Sequence, residues 1–209
     1  LRMRDIMKHR GPNDAGIYID KYLGLGNRRL SIIDLSNSGH QPMLNEDNTI
    51  CISYNGEVYN YLSIRENLIK KGYTFRSNTD TEVILHGFQE YGPEIVMQLN
   101  GMFAFSIWNS KTRELYLFRD RLGIKPLYYY SDKNCFIFGS EIKAILEAGV
   151  SSELEHSVLS SYLSLRYTPG EQTMFRNIKK LPPGTYVKIS HNGMEEIRTY
   201  WDLLDQDNI

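Results

Sequence analysis

Three short stretches in the first half of the chain carry side chains that could do chemistry together. Ser53-Tyr54-Asn55-Gly56-Glu57-Val58-Tyr59-Asn60 sets a carboxamide beside a glycine and an acid. A carboxamide donor and a neighbouring backbone N–H are the groups that hold a developing oxyanion. The same Asn-Gly pair is also the strongest short signal for a hairpin turn, and the stretch by itself leaves both readings open. Arg29 stands in Asn27-Arg28-Arg29-Leu30-Ser31-Ile32-Ile33-Asp34, a basic pair beside β-branched residues. Its guanidinium is either an edge charge that discourages strand aggregation or a fork for a carboxylate. Asp80, in Ser77-Asn78-Thr79-Asp80-Thr81-Glu82, either shares with Thr79 the ordinary work of a helix N-cap or aims its carboxylate at a ligand cation.

The elements that must position these groups follow from periodicity and punctuation. Leu1, Met3, Ile6 and Met7 recur at near-helical spacing up to Gly11-Pro12, with no cap residue ahead of them. The chain is therefore expected to start inside an element, with residues missing upstream. His9-Arg10-Gly11-Pro12-Asn13-Asp14 reads as a charged turn. Strand-like runs follow at 17–20, 22–25 and Ile50-Cys51-Ile52, the last leading into the Asn55 stretch after a loop through Gly39-His40-Gln41-Pro42. Residues 61–71 form an amphipathic helix with Leu62, Ile64, Leu68 and Ile69 inward, closed by Gly72. A second helix opens at Thr79 or Asp80 and carries Val83, Ile84, Leu85 and Phe88. Gly101-Met102-Phe103-Ala104-Phe105-Ser106-Ile107-Trp108 is apolar on both faces, as a strand between two packed layers must be. Further strands read at 115–118, 127–130, 136–138 and 186–189. Ser140 is placed to cap a short helix, and another helix covers 158–166. Strands outnumber helices and the central ones are covered on both sides, which implies a layered sandwich of helices and sheets.

Composition narrows the function classes. With 209 residues, 41% of them hydrophobic, the chain can bury a full core. A net charge of -1 gives no footprint for nucleic acid or an anionic membrane, and no apolar run approaches the roughly 20 residues that span a bilayer. Cys51 and Cys135 form neither a disulfide framework nor a CxxC pair, which suits a reducing cytoplasm. The five histidines lack metal-ligand spacing, so no metal site is expected.

Taken in order, His9-Arg10-Gly11-Pro12-Asn13-Asp14, Arg29-Leu30-Ser31-Ile32-Ile33-Asp34, Asn55-Gly56-Glu57-Val58-Tyr59-Asn60, Ser77-Asn78-Thr79-Asp80-Thr81-Glu82, Gly101-Met102-Phe103-Ala104-Phe105, Arg119-Asp120-Arg121-Leu122-Gly123 and Ser140-Glu141-Ile142-Lys143-Ala144 resemble a known family. It is the glutaminase domain of glutamine-hydrolysing asparagine synthetases, within the class II glutamine amidotransferases. Each block is weak alone; their order over nearly the whole chain carries the resemblance. It implies an α+β fold, a four-layer αββα sandwich of the N-terminal nucleophile hydrolase type. Residues 1–201 would form the glutaminase domain, incomplete at its N-terminus, and 202–209 the start of a linker.

The resemblance also implies roles. Arg29 would take the α-carboxylate of L-glutamine and Asp80 its α-ammonium, helped by Glu57 and by the backbone of Leu30, Ser31, Ile32 and Ile33. Asn55 and Gly56 would form the oxyanion hole. The family's nucleophile is an N-terminal cysteine whose own α-amine serves as base, a sensible pairing because the amine titrates near pH ~8 and a thiol near ~8.5. This sequence starts at Leu1, within the helix that should follow the family's first strand, and neither Cys51 nor Cys135 carries a free α-amine. The chain as it stands is therefore expected to bind glutamine weakly at best and not to hydrolyse it. No cofactor is expected in this domain. ATP and Mg would serve the parent's C-terminal synthetase domain, whose Ser-Gly-Gly loop does not occur here. Expected partners are L-glutamine and that synthetase domain, docked on apolar surface left uncovered here. A homodimer is compatible with this, nucleic acid and membrane are not expected partners, and the expected location is the cytoplasm. Two alternatives stand beside this reading: an ammonia-supplying domain of another class II amidotransferase, and a non-catalytic glutaminase-like scaffold.

Overall fold

The computed structural model describes residues 1–30 and 37–204, apart from the side chains of residues 37, 195 and 196. Its centre is a six-stranded antiparallel sheet. In chain order its strands are β3 (Met43–Leu44), β4 (Ile50–Val58), β5 (Gly101–Asn109), β6 (Glu114–Arg119), β10 (Thr185–Ser190) and β11 (Gly193–Thr199). They lie side by side as β11-β10-β6-β5-β4-β3. A second layer holds two smaller sheets, the pair β1 (Asp14–Ile19) and β2 (Gly24–Arg29), and the trio β7 (Tyr128–Ser131), β8 (Phe136–Gly139) and β9 (Ile178–Lys180) in the order β8-β7-β9. Helices α2 (Tyr61–Lys70), α3 (Asp80–Tyr91) and α4 (Ile95–Gln98) flank the central sheet. The short helices α1 (Arg2–Asp5) and α5 (Ile142–Leu146) touch each other and the second layer, and α6 (Leu159–Leu165) follows. The layers therefore run helix, sheet, sheet, helix, the four-layer α+β sandwich the resemblance implies.

The two cores explain the layering. Side chains alternate across a strand, so each face of β5 is read by every second residue. Phe103, Phe105 and Ile107 meet Ile64, Leu68, Val83, Ile84, Leu85 and Phe88 from α2 and α3. Ala104 and Trp108, with Cys51, Leu117 and Val187, meet Leu25, Leu127, Tyr129 and Leu181 of the second layer. Phe118 sits at the middle of the first core, its ring stacked 4.5 Å from Phe105 and 5.4 Å from Tyr186.

Several expectations are corrected. Asn55-Gly56 is no hairpin turn: both residues lie inside β4, opposite Ala104 and Phe103 of β5. Leu62 and Ile69 of α2 face solvent at 59% and 52% exposure, because only one narrow stripe of that helix, Ile64 and Leu68, meets the sheet. Ser140 does not cap α5; Glu141 occupies the cap position without a side-chain bond, since its carboxylate is held by His9, Arg10 and Lys143. The helix at the start of the chain is a single turn, continued only by turns to Arg10. Strands β3, β9 and β11 carry too short or too polar a pattern to be read from periodicity.

Candidate active site

The site forms along one edge of β4. On its other edge β5 pairs with the whole strand, whereas β3 covers the near edge only as far as Met43 opposite Ile52. Backbone N–H groups of a strand alternate between its two edges. Tyr54 N–H and Val58 N–H point to the open edge, where Gln41 Oε1 accepts the first at 2.7 Å and Asp80 Oδ2 the second at 3.0 Å. Tyr59 N–H, in the opposite phase, bonds to Asn100 on the β5 side. Gly56 shares the phase of Tyr54 and Val58, so its N–H also faces the open edge. A glycine is required at 56 for packing reasons: a Cβ there would sit 2.3 Å from the Met102 carbonyl oxygen of β5.

Asn55 projects from the strand face toward the second layer, and its Nδ2 is buried without a hydrogen-bond partner. A buried amide donor without an acceptor costs about 1–3 kcal/mol, which marks the group as held ready for something. Asn55 and Gly56 line an open cleft of about 1070 Å³ between the central sheet and the second layer. Residues of β2 and β8 line the same cleft; among the described residues β2 pairs only with β1, and β8 only with β7.

Arg29, the last residue of β2, lines the cleft as well. Its guanidinium lies against Gly39, where an added Cβ would fall 2.2 Å from an Arg29 terminal nitrogen, so the glycine makes room for the fork. Leu30, 54% exposed, stands at the rim, while Ser31, Ile32 and Ile33 lie outside the described residues.

Asp80 reaches the cleft from the first turn of α3. The two readings of this region divide between neighbours: Thr79 is the N-cap, accepting from Glu82 N–H, and Asp80 is left with its carboxylate free of that duty. Asp80 is only 4% exposed. Tyr54 Oη donates to Asp80 Oδ2 at 2.5 Å and Val58 N–H adds the second bond. Burial pushes the Asp80 carboxyl above its ordinary range, and the hydrogen bonds from Tyr54 and Val58 work against that rise. Burial and the facing Asp80 hold the Tyr54 phenol far above its ordinary value, so it stays a donor. Glu57 lies on β4 one residue beyond those that line the cleft.

Gln41 stands in an ordinary loop stretch of the sequence, yet it joins all three elements of the site. Its Oε1 accepts from Tyr54 N–H of β4 and, at 3.3 Å, from Asn27 Nδ2 of β2; its Nε2 donates to Thr81 Oγ1 of α3 at 3.3 Å. A glutamine within loop composition carries no periodic signal, so only the fold reveals it. The Arg119–Gly123 block is likewise structural. Buried Asp120 accepts from the N–H groups of Phe103, Leu122, Ile124 and Lys125, which shapes the loop after β6.

Neither cysteine lines the cleft. Cys51 is fully buried, and burial pushes its thiol up to about 12; Cys135 is exposed beside β8. Among the described residues no group of three or more His, Cys, Asp or Glu side chains could hold a metal ion, and no helix is long and apolar enough to cross a membrane.

The chain is similar to known proteins over most of its length. The family described as "Glutamine amidotransferase domain" matches residues 1–201. Asparagine synthetase (glutamine-hydrolyzing) 1 of Bacillus subtilis (strain 168) is 42% identical over 200 residues, covering 96% of this chain and 32% of the relative. Asparagine synthetase (glutamine-hydrolyzing) 3 of the same organism is 37% identical over 207 residues, covering 97% and 33%. The chain thus spans about a third of the length of these relatives. Among solved structures, the glutamine phosphoribosylpyrophosphate amidotransferase of B. subtilis superposes with a TM-score of 0.62 at 20% identity, over 85% of this chain and 35% of that one, which speaks to the fold. With its sandwich architecture and a match running from residue 1 to residue 201, the chain belongs to the class II glutamine amidotransferase domain family.

Proposed function

We propose that the chain is the glutaminase part of an ATP-dependent asparagine synthetase, releasing ammonia from L-glutamine for the amidation of aspartate. The observation that carries the chemistry is the buried, unpartnered Asn55 Nδ2 beside the Gly56 N–H on the open edge of β4. Attack on a carboxamide turns its carbonyl oxygen into an oxyanion, and two fixed donors stabilise that charge more than the ground-state carbonyl. Arg29 binds the substrate carboxylate and Asp80 the ammonium, with Glu57 and the backbone of 30–33 assisting. This spreads glutamine along the cleft with its amide at Asn55.

Hydrolysis needs a thiolate with a base beside it. Neither Cys51, sealed in the core, nor Cys135, outside the cleft, is placed to supply it. ATP and Mg act on the portion of the parent beyond this domain, and no step here uses them. The parent works in the cytoplasm, and its synthetase portion docks on exposed apolar side chains such as Met97, Leu122 and Ile124. The relatives' names favour asparagine synthesis over another ammonia acceptor.

The test uses a relative that hydrolyses glutamine. Asp→Asn at the position aligned with Asp80 should raise the glutamine KM with the fold intact by circular dichroism. An unchanged KM removes Asp80 from the site.

A further inference from the structure

We propose that Tyr54 is a positioning residue for amino-group recognition, its hydroxyl fixing the Asp80 carboxylate so that the cleft discriminates ligands with an α-ammonium from otherwise identical ligands without one. The inference rests on the role given to Asp80 above and adds a second residue to it.

The geometry starts from alternation. Asn55 projects toward the second layer, so Tyr54 projects to the opposite face of β4, into the core under α2 and α3. Its ring packs near Phe105, with centroids 6.3 Å apart. A phenol buried in such a core needs a partner for its hydroxyl, and a carboxylate buried at a helix start needs donors. Each supplies the other at 2.5 Å, with Tyr54 at 7% and Asp80 at 4% exposure, and both line the cleft. The second donor to Asp80 Oδ2 is Val58 N–H.

One strand thus serves both ends of the proposed substrate. Asn55 and Gly56 present donors toward the reacting amide, while Tyr54 and Val58, flanking them, fix the acceptor for the amine. The spacing between amide and amine recognition is set by the rigid rise of β4 and not by loop conformation. Without the Tyr54 hydroxyl, Asp80 keeps a single β4 donor at one oxygen. Its carboxylate is then freer to turn, and burial favours its neutral form, which holds an ammonium poorly.

A purely structural tyrosine would behave differently. Loosening the fold weakens every ligand of the cleft, whereas loss of amine recognition weakens only ligands that carry the amine. The pair of probes that separates these is L-glutamine and glutaramate, which is glutamine without its α-amino group.

The experiment is an NMR titration of the 209-residue chain with each probe, for the unsubstituted protein, Tyr54→Phe and Asp80→Asn. The unsubstituted chain should prefer L-glutamine. Tyr54→Phe should cut that preference about tenfold by weakening L-glutamine alone, the size expected for one hydrogen bond to a charged group. An unchanged preference, or equal weakening of both probes, overturns the proposal. Asp80→Asn reads the underlying assignment: if it leaves the preference intact, the role of Asp80 fails, whereas loss with Asp80→Asn but not with Tyr54→Phe sinks only the role of Tyr54. A measurement on the unsubstituted chain guards against a variant that does not fold. The Tyr54 ring signals should move on adding L-glutamine and stay in place with glutaramate; equal movement with both overturns the proposal.

Discussion

At the scale of single residues, the site is built from groups that the fold alone would not choose. Asn55 Nδ2 is buried without a partner, a cost to stability with no structural return. Asn55→Ala should therefore leave the melting temperature of this chain unchanged or slightly raised. The equivalent change in a glutamine-hydrolysing relative should lower kcat about 10²–10³-fold. A clear loss of stability in this chain would show that Nδ2 has a structural partner after all. These residues were legible in the sequence as types, but not in their geometry. Asn55-Gly56 carries a turn signal, yet β5 pairs with both residues and the glycine serves close strand approach. Gln41 and Gly39 went unread because their importance lies in what they touch, three elements in one case and a guanidinium in the other.

At the scale of elements, the first turn of α3 is the part most dependent on charge. Glu82, 1% exposed, accepts from Arg76 N–H, Ser77 N–H and Ser77 Oγ, with His86 Nε2 at 3.7 Å. Burial by itself would raise this carboxyl, but His86 and the N–H groups of Arg76 and Ser77 outweigh it and bring the pKa from 4.5 to about 2. The folded value is below the unfolded one, so the stabilisation is present above pH ~4.5 and is lost as pH falls toward ~2. It amounts to roughly 3 kcal/mol. His86 has the opposite sign: burial lowers it, yet Glu82 and Gln89 raise it more, so its contribution is full below about 6.5 and fades as pH rises through the folded value. Urea midpoints measured against pH should show Glu82→Gln losing stability at neutral pH and gaining a flatter acid limb; parallel curves for the two proteins would count against this network. The Asp120 loop gives a simpler case. Asp120→Ala strands the N–H groups of Phe103, Leu122, Ile124 and Lys125 and should cost about 3 kcal/mol, read as a lowered urea midpoint. Strands with apolar runs, such as β5 and β6, and helix α3 with its Thr79 cap were legible from pattern. Strands β3, β9 and β11 were not, because their pairing partners and not their own residues define them.

At the scale of the whole molecule, a four-layer sandwich holds β2, β4 and α3 so that Arg29, Asn55 with Gly56, and Asp80 line one cleft although they are far apart in the chain. The ordered blocks made that assembly readable before any coordinates, since block order over nearly the whole chain constrains a fold more than any block alone. The split of the second layer into two small sheets was not readable, because it depends on which strand edges meet. With Cys51 buried and Cys135 outside the cleft, the 209 residues should release no ammonia from glutamine, and an assay for ammonia checks this directly. The central claim is that the cleft receives glutamine with its ammonium at Asp80 and its amide at Asn55. The most direct measurement is an L-glutamine titration of isotope-labelled protein, following Arg29, Asn55, Gly56 and Asp80. The account predicts saturable shifts at these four residues together, abolished or strongly weakened by Asp80→Asn. Shifts confined to other surfaces, or unaffected by Asp80→Asn, would contradict it.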